Sequence, residues 1–146
     1  MQLFAKIGYE SKETKGFGWI DGIVKKINNI NKTLKLPHMG WNQIEFKKDF
    51  SLFSGIENQS HMYFVHSYEF LTKQKDCVVA TTNYGNSIIA AVTKDNIFGT
   101  QFHPHKAHNS ILVTIPFGVN VKASFGQCFI HSLLPIHLSA ENIFCC

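Results

Sequence analysis

The first fourteen residues, MQLFAKIGYESKET, carry Leu3, Phe4, Ile7 and Gly8 at helical spacing before charged and turn-forming residues take over. That pattern predicts a leading helix with an abrupt start and no capping residue before it. The next stretch, KGFGWIDGIVKKI, holds three glycines and predicts a loop entering a short strand near Gly22 to Ile27. In TLKLPHMGWNQIEF, Leu34, Leu36, Ile44 and Phe46 alternate in part around an expected Pro and Gly turn. SLFSGIE reads as a short helical or turn element, and HMYFVHSYEF and CVVATTNYG as β-rich runs. NSIIAAVTKDNIFGTQFH reads as two strands joined at KDN, where Asp and Asn suit a turn. Up to about residue 103 the pattern predicts a meander of strands behind one helix.

The pattern changes near residue 110. From Ile111 to Cys146 only Lys122 and Glu141 are charged, and two prolines and two glycines interrupt every candidate helix. ILVTIPFGVNV fits a strand and CFIHSLLPIHL a short buried helix broken at Pro135, but so few charges leave an apolar surface that needs covering. The expected division is therefore residues 1–109 and a charge-poor tail, 110–146. No internal repeat is evident.

Composition narrows the function classes. The 146 residues suffice for one domain with a real core, and 45% hydrophobic residues with 13 Phe argue against disorder of the whole. The net charge of +4, spread over scattered lysines, is weak evidence for nucleic acid, and Lys25, Lys26, Lys47 and Lys48 read as a solvated face. No basic segment leads into an apolar run and no 18-residue apolar stretch occurs, so a cytoplasmic protein without membrane or nucleic-acid partners is expected. Cys77, Cys128, Cys145 and Cys146 lack zinc-ribbon or disulfide-framework spacing and read as free thiols.

The candidate chemistry lies in GTQFHPHKAH, where His103, His105 and His108 fall within six positions after an apolar strand. Imidazoles two apart on an extended segment can share a face and hold a metal. No nearby Cys or carboxylate completes such a set, so no metal is expected there.

Five pieces in order, LPHMGWN, YFVHSY, TTNYG, IIAAV and GTQFHP, give the sequence a resemblance from Met1 to about Asn109. It resembles the glutaminase subunits of imidazole glycerol phosphate synthase, class I glutamine amidotransferases of histidine biosynthesis. A related amidotransferase of bacterial surface-sugar biosynthesis is covered by the same resemblance. The implied fold is α/β, the C-terminal portion of an amidotransferase domain with a mixed sheet. The implied activity is hydrolysis of glutamine to glutamate and ammonia, passed to a cyclase subunit in a heterodimer, with no cofactor and no metal.

Such chemistry needs a thiolate nucleophile, a histidine that moves its proton, and a carboxylate that orients the histidine. The resemblance gives the histidine as His103, within the family's His-Pro-Glu pattern, but His105 stands at the glutamate position. A neutral imidazole there can accept a hydrogen bond; a protonated one would repel His103. The family's nucleophile lies in Gly-x-Cys-x-Gly-Met-Gln, whose last two residues align with Met1 and Gln2. None of the four cysteines follows a Gly-rich elbow, so the chain as given is expected to be catalytically incomplete. The resemblance further implies that Gln2, Ser67 and Tyr68 hold glutamine, the latter segment partly through its backbone. It places Pro37, His38, Met39, Trp41 and Asn42 toward the cyclase and the ammonia passage. The competing expectation is a noncatalytic fragment of a disrupted gene whose tail has left its original frame.

Overall fold

A computed structural model of the chain describes residues 1–28 and 34–103, with the backbone of residues 131 and 132. The elements expected in the tail, the division at residue 110, His105 and His108 lie outside the described residues.

One sheet has four strands, β1 (Ile7–Gly8), β2 (Thr14–Lys15), β3 (Gly22–Lys26) and β6 (Tyr68–Thr72), in spatial order β2-β1-β3-β6. The β1·β3 pair is parallel and the others antiparallel, so this sheet is mixed. The second sheet runs β10-β9-β8-β7-β4-β5. Its members are β4 (His38–Phe46), β5 (His61–His66), β7 (Val78–Tyr84), β8 (Asn86–Lys94), β9 (Ile97–Thr100) and β10 (His131–Ser132). Past β9 the chain reaches back to the far edge strand, where the His103 amide donates to Tyr63 O at 2.9 Å, so the sheet curls round.

The strand expected near Gly22 is present, and so is the β8–β9 hairpin at KDN. Lys94 pairs directly with Ile97, and Asp95 takes the positive φ (53°) that a two-residue hairpin loop requires. SLFSGIE supplies a single 3-10 turn at Ser51–Phe53.

Two expectations are corrected. The leading helix is one 3-10 turn, Gln2–Phe4, followed by β1. An α-helix would use the carbonyls of residues 3 to 6 internally. Here Leu3, Phe4, Ala5 and Lys6 O accept instead from the amides of Phe17, Ile20, Gly18 and Gly16, at 2.8 to 3.0 Å. The loop at residues 16–20 thus takes over the helical hydrogen bonds. Gly16 permits this approach, since a Cβ there would lie 2.2 Å from Ala5 O.

The second correction concerns the expected Pro and Gly turn. After the cis Leu36–Pro37 bond the chain runs on as nine residues of β4, straight through Gly40 at φ 127°. Its even-numbered residues, His38 to Phe46, face inward and its odd ones outward, the period of a strand with one buried face.

Two apolar clusters hold the sheets. One gathers Ile44, Phe53, Met62, Phe64, Val79, Ala90 and Phe102; the other gathers Met1, Phe4, Ile20, Val24, Phe70 and Val92. Phe4, Phe64 and Phe70 are fully enclosed, each stabilising the fold by about 2–3 kcal/mol. Gly99 lets β9 pass against the N-terminal turn, where a Cβ would stand 2.6 Å from the Phe4 ring and 3.1 Å from Met1 Cα. That close pass brings residues 101–103 beside residues 1–2.

Candidate active-site and partner-facing region

Gln2 sits on the N-terminal turn, half-buried, and its side-chain amide donates to Tyr68 O at 2.9 Å and to Gln101 Oε1 at 3.1 Å. Three segments far apart in sequence therefore meet at one junction: the first turn, the β5–β6 corner, and the segment that runs from β9 to His103. His103 lies two residues beyond Gln101, its amide tied to Tyr63 O and its ring centroid 6.5 Å from that of Tyr63. Ser67 forms the corner between β5 and β6, and its carbonyl accepts from Ile27 N at 2.9 Å. Tyr68 turns its hydroxyl outward to donate to Glu10 O at 2.7 Å, leaving its backbone carbonyl to serve the junction.

A second group lies on the inward face of β4 and β5. His38 and His66 are cross-strand partners, 2% and 7% exposed, with His38 Nδ1 and His66 Nε2 3.0 Å apart. His66 Nδ1 lies 2.8 Å from Tyr68 O, and Asn42 Nδ2 lies 3.2 Å from His38 Nε2 and 2.8 Å from Asn83 O. The His38 ring is sandwiched between Tyr84 (centroids 3.9 Å) and Phe64 (4.7 Å). Removal from water disfavours the imidazolium, and the neighbouring His66 adds to the effect, so the His38 pKa falls from 6.5 to about 4. Burial also lowers that of His66, opposed by its hydrogen bond to the Tyr68 carbonyl. Both rings are neutral at neutral pH.

The outward face of the same two strands is apolar at the end nearest Pro37. Met39 (60% exposed) opposes Val65 (42%), and Trp41 (47%) opposes Tyr63, their rings in edge contact at 5.5 Å. Pro37 is exposed at the start of this ribbon and Asn42 is half-buried. The residues expected to face a partner thus divide by strand parity: Met39 and Trp41 outward, His38 and Asn42 inward. Lys25, Lys26, Lys47 and Lys48 are all exposed, Lys47 pairing with Glu45 at 2.8 Å. Among the described residues no three His, Cys, Asp or Glu side chains converge as a metal site would need, and no helix is long and apolar enough to cross a membrane.

Sequence reasoning assigned no role to His66, Tyr84, Asn83 or Gln101. His66 was legible by parity, because it shares the inward set of HMYFVH with Met62 and Phe64. A histidine on that set must be buried and therefore hydrogen-bonded.

A mixed sheet and a second, antiparallel one thus bring the glutamine of the first turn beside the segment past β9 that carries His103. The glutamine amidotransferase class-I family matches residues 1–117, and the chain belongs to that family, with its α/β fold class. The chain is 57% identical over 107 residues to the imidazole glycerol phosphate synthase subunit HisH of Pelagibacter ubique, covering 73% of this chain and 51% of that protein. The subunit of the same name from Azospirillum brasilense is 42% identical over 115 residues (79% and 60%), and that of Methanocaldococcus jannaschii 45% over 107 (73% and 53%). The chain spans about half the length of the curated relatives it matches.

Proposed function

We propose that this chain is the glutamine-binding and histidine-bearing part of a glutaminase that supplies ammonia to the cyclase subunit of imidazole glycerol phosphate synthase. The observation that carries this reading is the junction at Tyr68 O, where Gln2, the β5–β6 corner and the strand leading to His103 are tied together. The names of the relatives favour the histidine pathway over surface-sugar amination. The outward pair-rows Met39/Val65 and Trp41/Tyr63, exposed at Met39, Val65 and Trp41, fit a partner-binding face, being apolar and on an edge ribbon.

In this chemistry a cysteine thiolate adds to the glutamine amide carbonyl. The carbon–nitrogen bond then breaks as His103, protonated, gives its proton to the departing ammonia, and water hydrolyses the thioester to glutamate. The 146 residues hold no elbow cysteine, so the chain by itself is expected to release no ammonia from glutamine even with the cyclase added. Extending it before Met1 with an N-terminal segment that ends in a Gly-x-Cys-x-Gly elbow should restore ammonia release, and His103→Ala should abolish it. Turnover by the unextended chain, or full turnover in the extended His103→Ala variant, would refute the reading.

One sequence feature favours a second reading, a noncatalytic fragment: imidazole at the carboxylate position, His105. The DNA upstream discriminates, because an in-frame elbow codes for the enzyme and a stop or frameshift for the fragment.

A further inference from the structure

The hydrogen bonds among Asn42, His38, His66 and Tyr68 have only one consistent direction. Tyr68 O can only accept, so His66 Nδ1 carries a proton and donates it. A neutral His66 then has a bare Nε2, which must accept from His38 Nδ1–H across 3.0 Å. His38 Nε2 is bare in turn and accepts from Asn42 Nδ2, whose second proton goes to Asn83 O. The Asn42 amide cannot be turned over, because its Oδ1 accepts from the Gln43 amide at 2.8 Å. The ring sandwich of Tyr84 and Phe64 holds His38 in the plane that both hydrogen bonds need.

The far end of this row is the carbonyl that Gln2 also uses. Tyr68 O therefore receives two donors, one from the first turn and one from a buried row that begins on β4. The same strand presents Met39 and Trp41 on its outer face.

We propose that His38 and His66 are positioning residues: a one-directional, neutral hydrogen-bond row that fixes the Ser67–Tyr68 segment for glutamine binding and ties its placement to the partner-facing strand β4. This rests on the glutaminase reading for its consequence but not for its geometry. A segment that binds glutamine equally in the ground and transition states affects KM and leaves kcat unchanged. A residue needed only for folding would instead reduce the active fraction.

The test has two arms. In the 146-residue chain, nitrogen-15 NMR of the imidazoles should find both His38 and His66 as Nδ1–H tautomers at pH 7; an Nε2–H tautomer at either ring overturns the row. In the chain extended by the cysteine elbow and assayed with the cyclase, His38→Phe keeps the ring stack but removes both hydrogen bonds. It should raise KM for glutamine roughly tenfold with kcat within about twofold. His38→Asn, whose Nδ2–H can replace the Nδ1–H donor, should return KM to within about threefold of the unaltered enzyme. Unchanged KM in His38→Phe, or a fall in kcat that His38→Asn does not rescue, overturns the positioning role. If the unaltered extended enzyme makes no ammonia, the glutaminase reading fails while the tautomers still decide the row. Should His38→Phe fail to fold, the tautomer measurement and His38→Asn kinetics carry the decision.

Discussion

Acid should weaken this fold earlier than carboxylate titration alone would, and His38 sets the amount. In the unfolded chain its imidazole takes a proton near pH 6.5, whereas in the folded chain burial and His66 delay this to about pH 4. Between those values the unfolded state binds more protons, so stability falls as pH falls through the window, and it is fully present above pH 6.5. At ~1.4 kcal/mol per tenfold change in proton affinity, the drop from 6.5 to about 4 amounts to about 3 kcal/mol. That is a large part of the 5–15 kcal/mol typical of a domain, roughly. His66 contributes in the same direction. Glu69 works the other way: burial raises its carboxyl pKa, so its contribution declines as pH rises past the ordinary value of 4.5. Because Glu69 titrates in both proteins, comparing the chain with His38→Phe removes it to first order. The assay is urea unfolding followed by circular dichroism at several pH values from about 7.5 to 4.5. The unaltered chain should lose about 2–3 kcal/mol more over that range than His38→Phe does. Parallel losses in the two proteins would refute the assignment of a buried neutral His38.

Gly16→Ala should destabilise the chain by about 3 kcal/mol or more, because its methyl would press on Ala5 O (2.2 Å) and Leu3 O (2.8 Å), both backbone; a urea midpoint within error of the unaltered chain would contradict this. Trp41→Ala, at a 47% exposed position, should change stability by less than about 1 kcal/mol yet weaken cyclase binding roughly tenfold, as read by calorimetric titration. In the elbow-extended chain, His105→Glu should raise glutamine turnover, since a carboxylate would orient His103 and support its charge; an unchanged rate would count against the role given to His103.

Much of the β structure was legible because alternation is a local signal. β8, β9 and their turn follow from SIIAAV, KDN and NIFG, where each residue suits its place without help from distant chain. The first turn misled because Leu3, Phe4 and Ile7 satisfy helical spacing while the backbone carbonyls of residues 3 to 6 are claimed by residues 16–20, a pairing no local window contains. Pro37 and Gly40 looked like a turn for a similar reason. Proline is tolerated just before a strand and glycine within one, and only the pairing of His38–Gln43 with β5 shows that the chain runs through. The division into two sheets was not legible, because it depends on β6 leaving β5 after the single residue Ser67 to join β3. Within the site, Gln2, Tyr68 and His103 were reached through the resemblance; Gln101, Asn83 and Tyr84 act through contacts set by the fold alone.

The parity of β4 makes this stretch unusually intolerant of insertion or deletion. A substitution at Met39 edits one face, but losing a single residue between His38 and Ile44 would exchange the faces for everything on one side of the cut. Either the imidazole row would turn to solvent while Met39 and Trp41 were driven inward, or Ile44 would leave the core, so no single-residue indel here can spare both. Length variation is better placed at Lys47–Phe50, outside β4 and before the next turn, and a library built to diversify the partner face should vary letters in β4 and never its length.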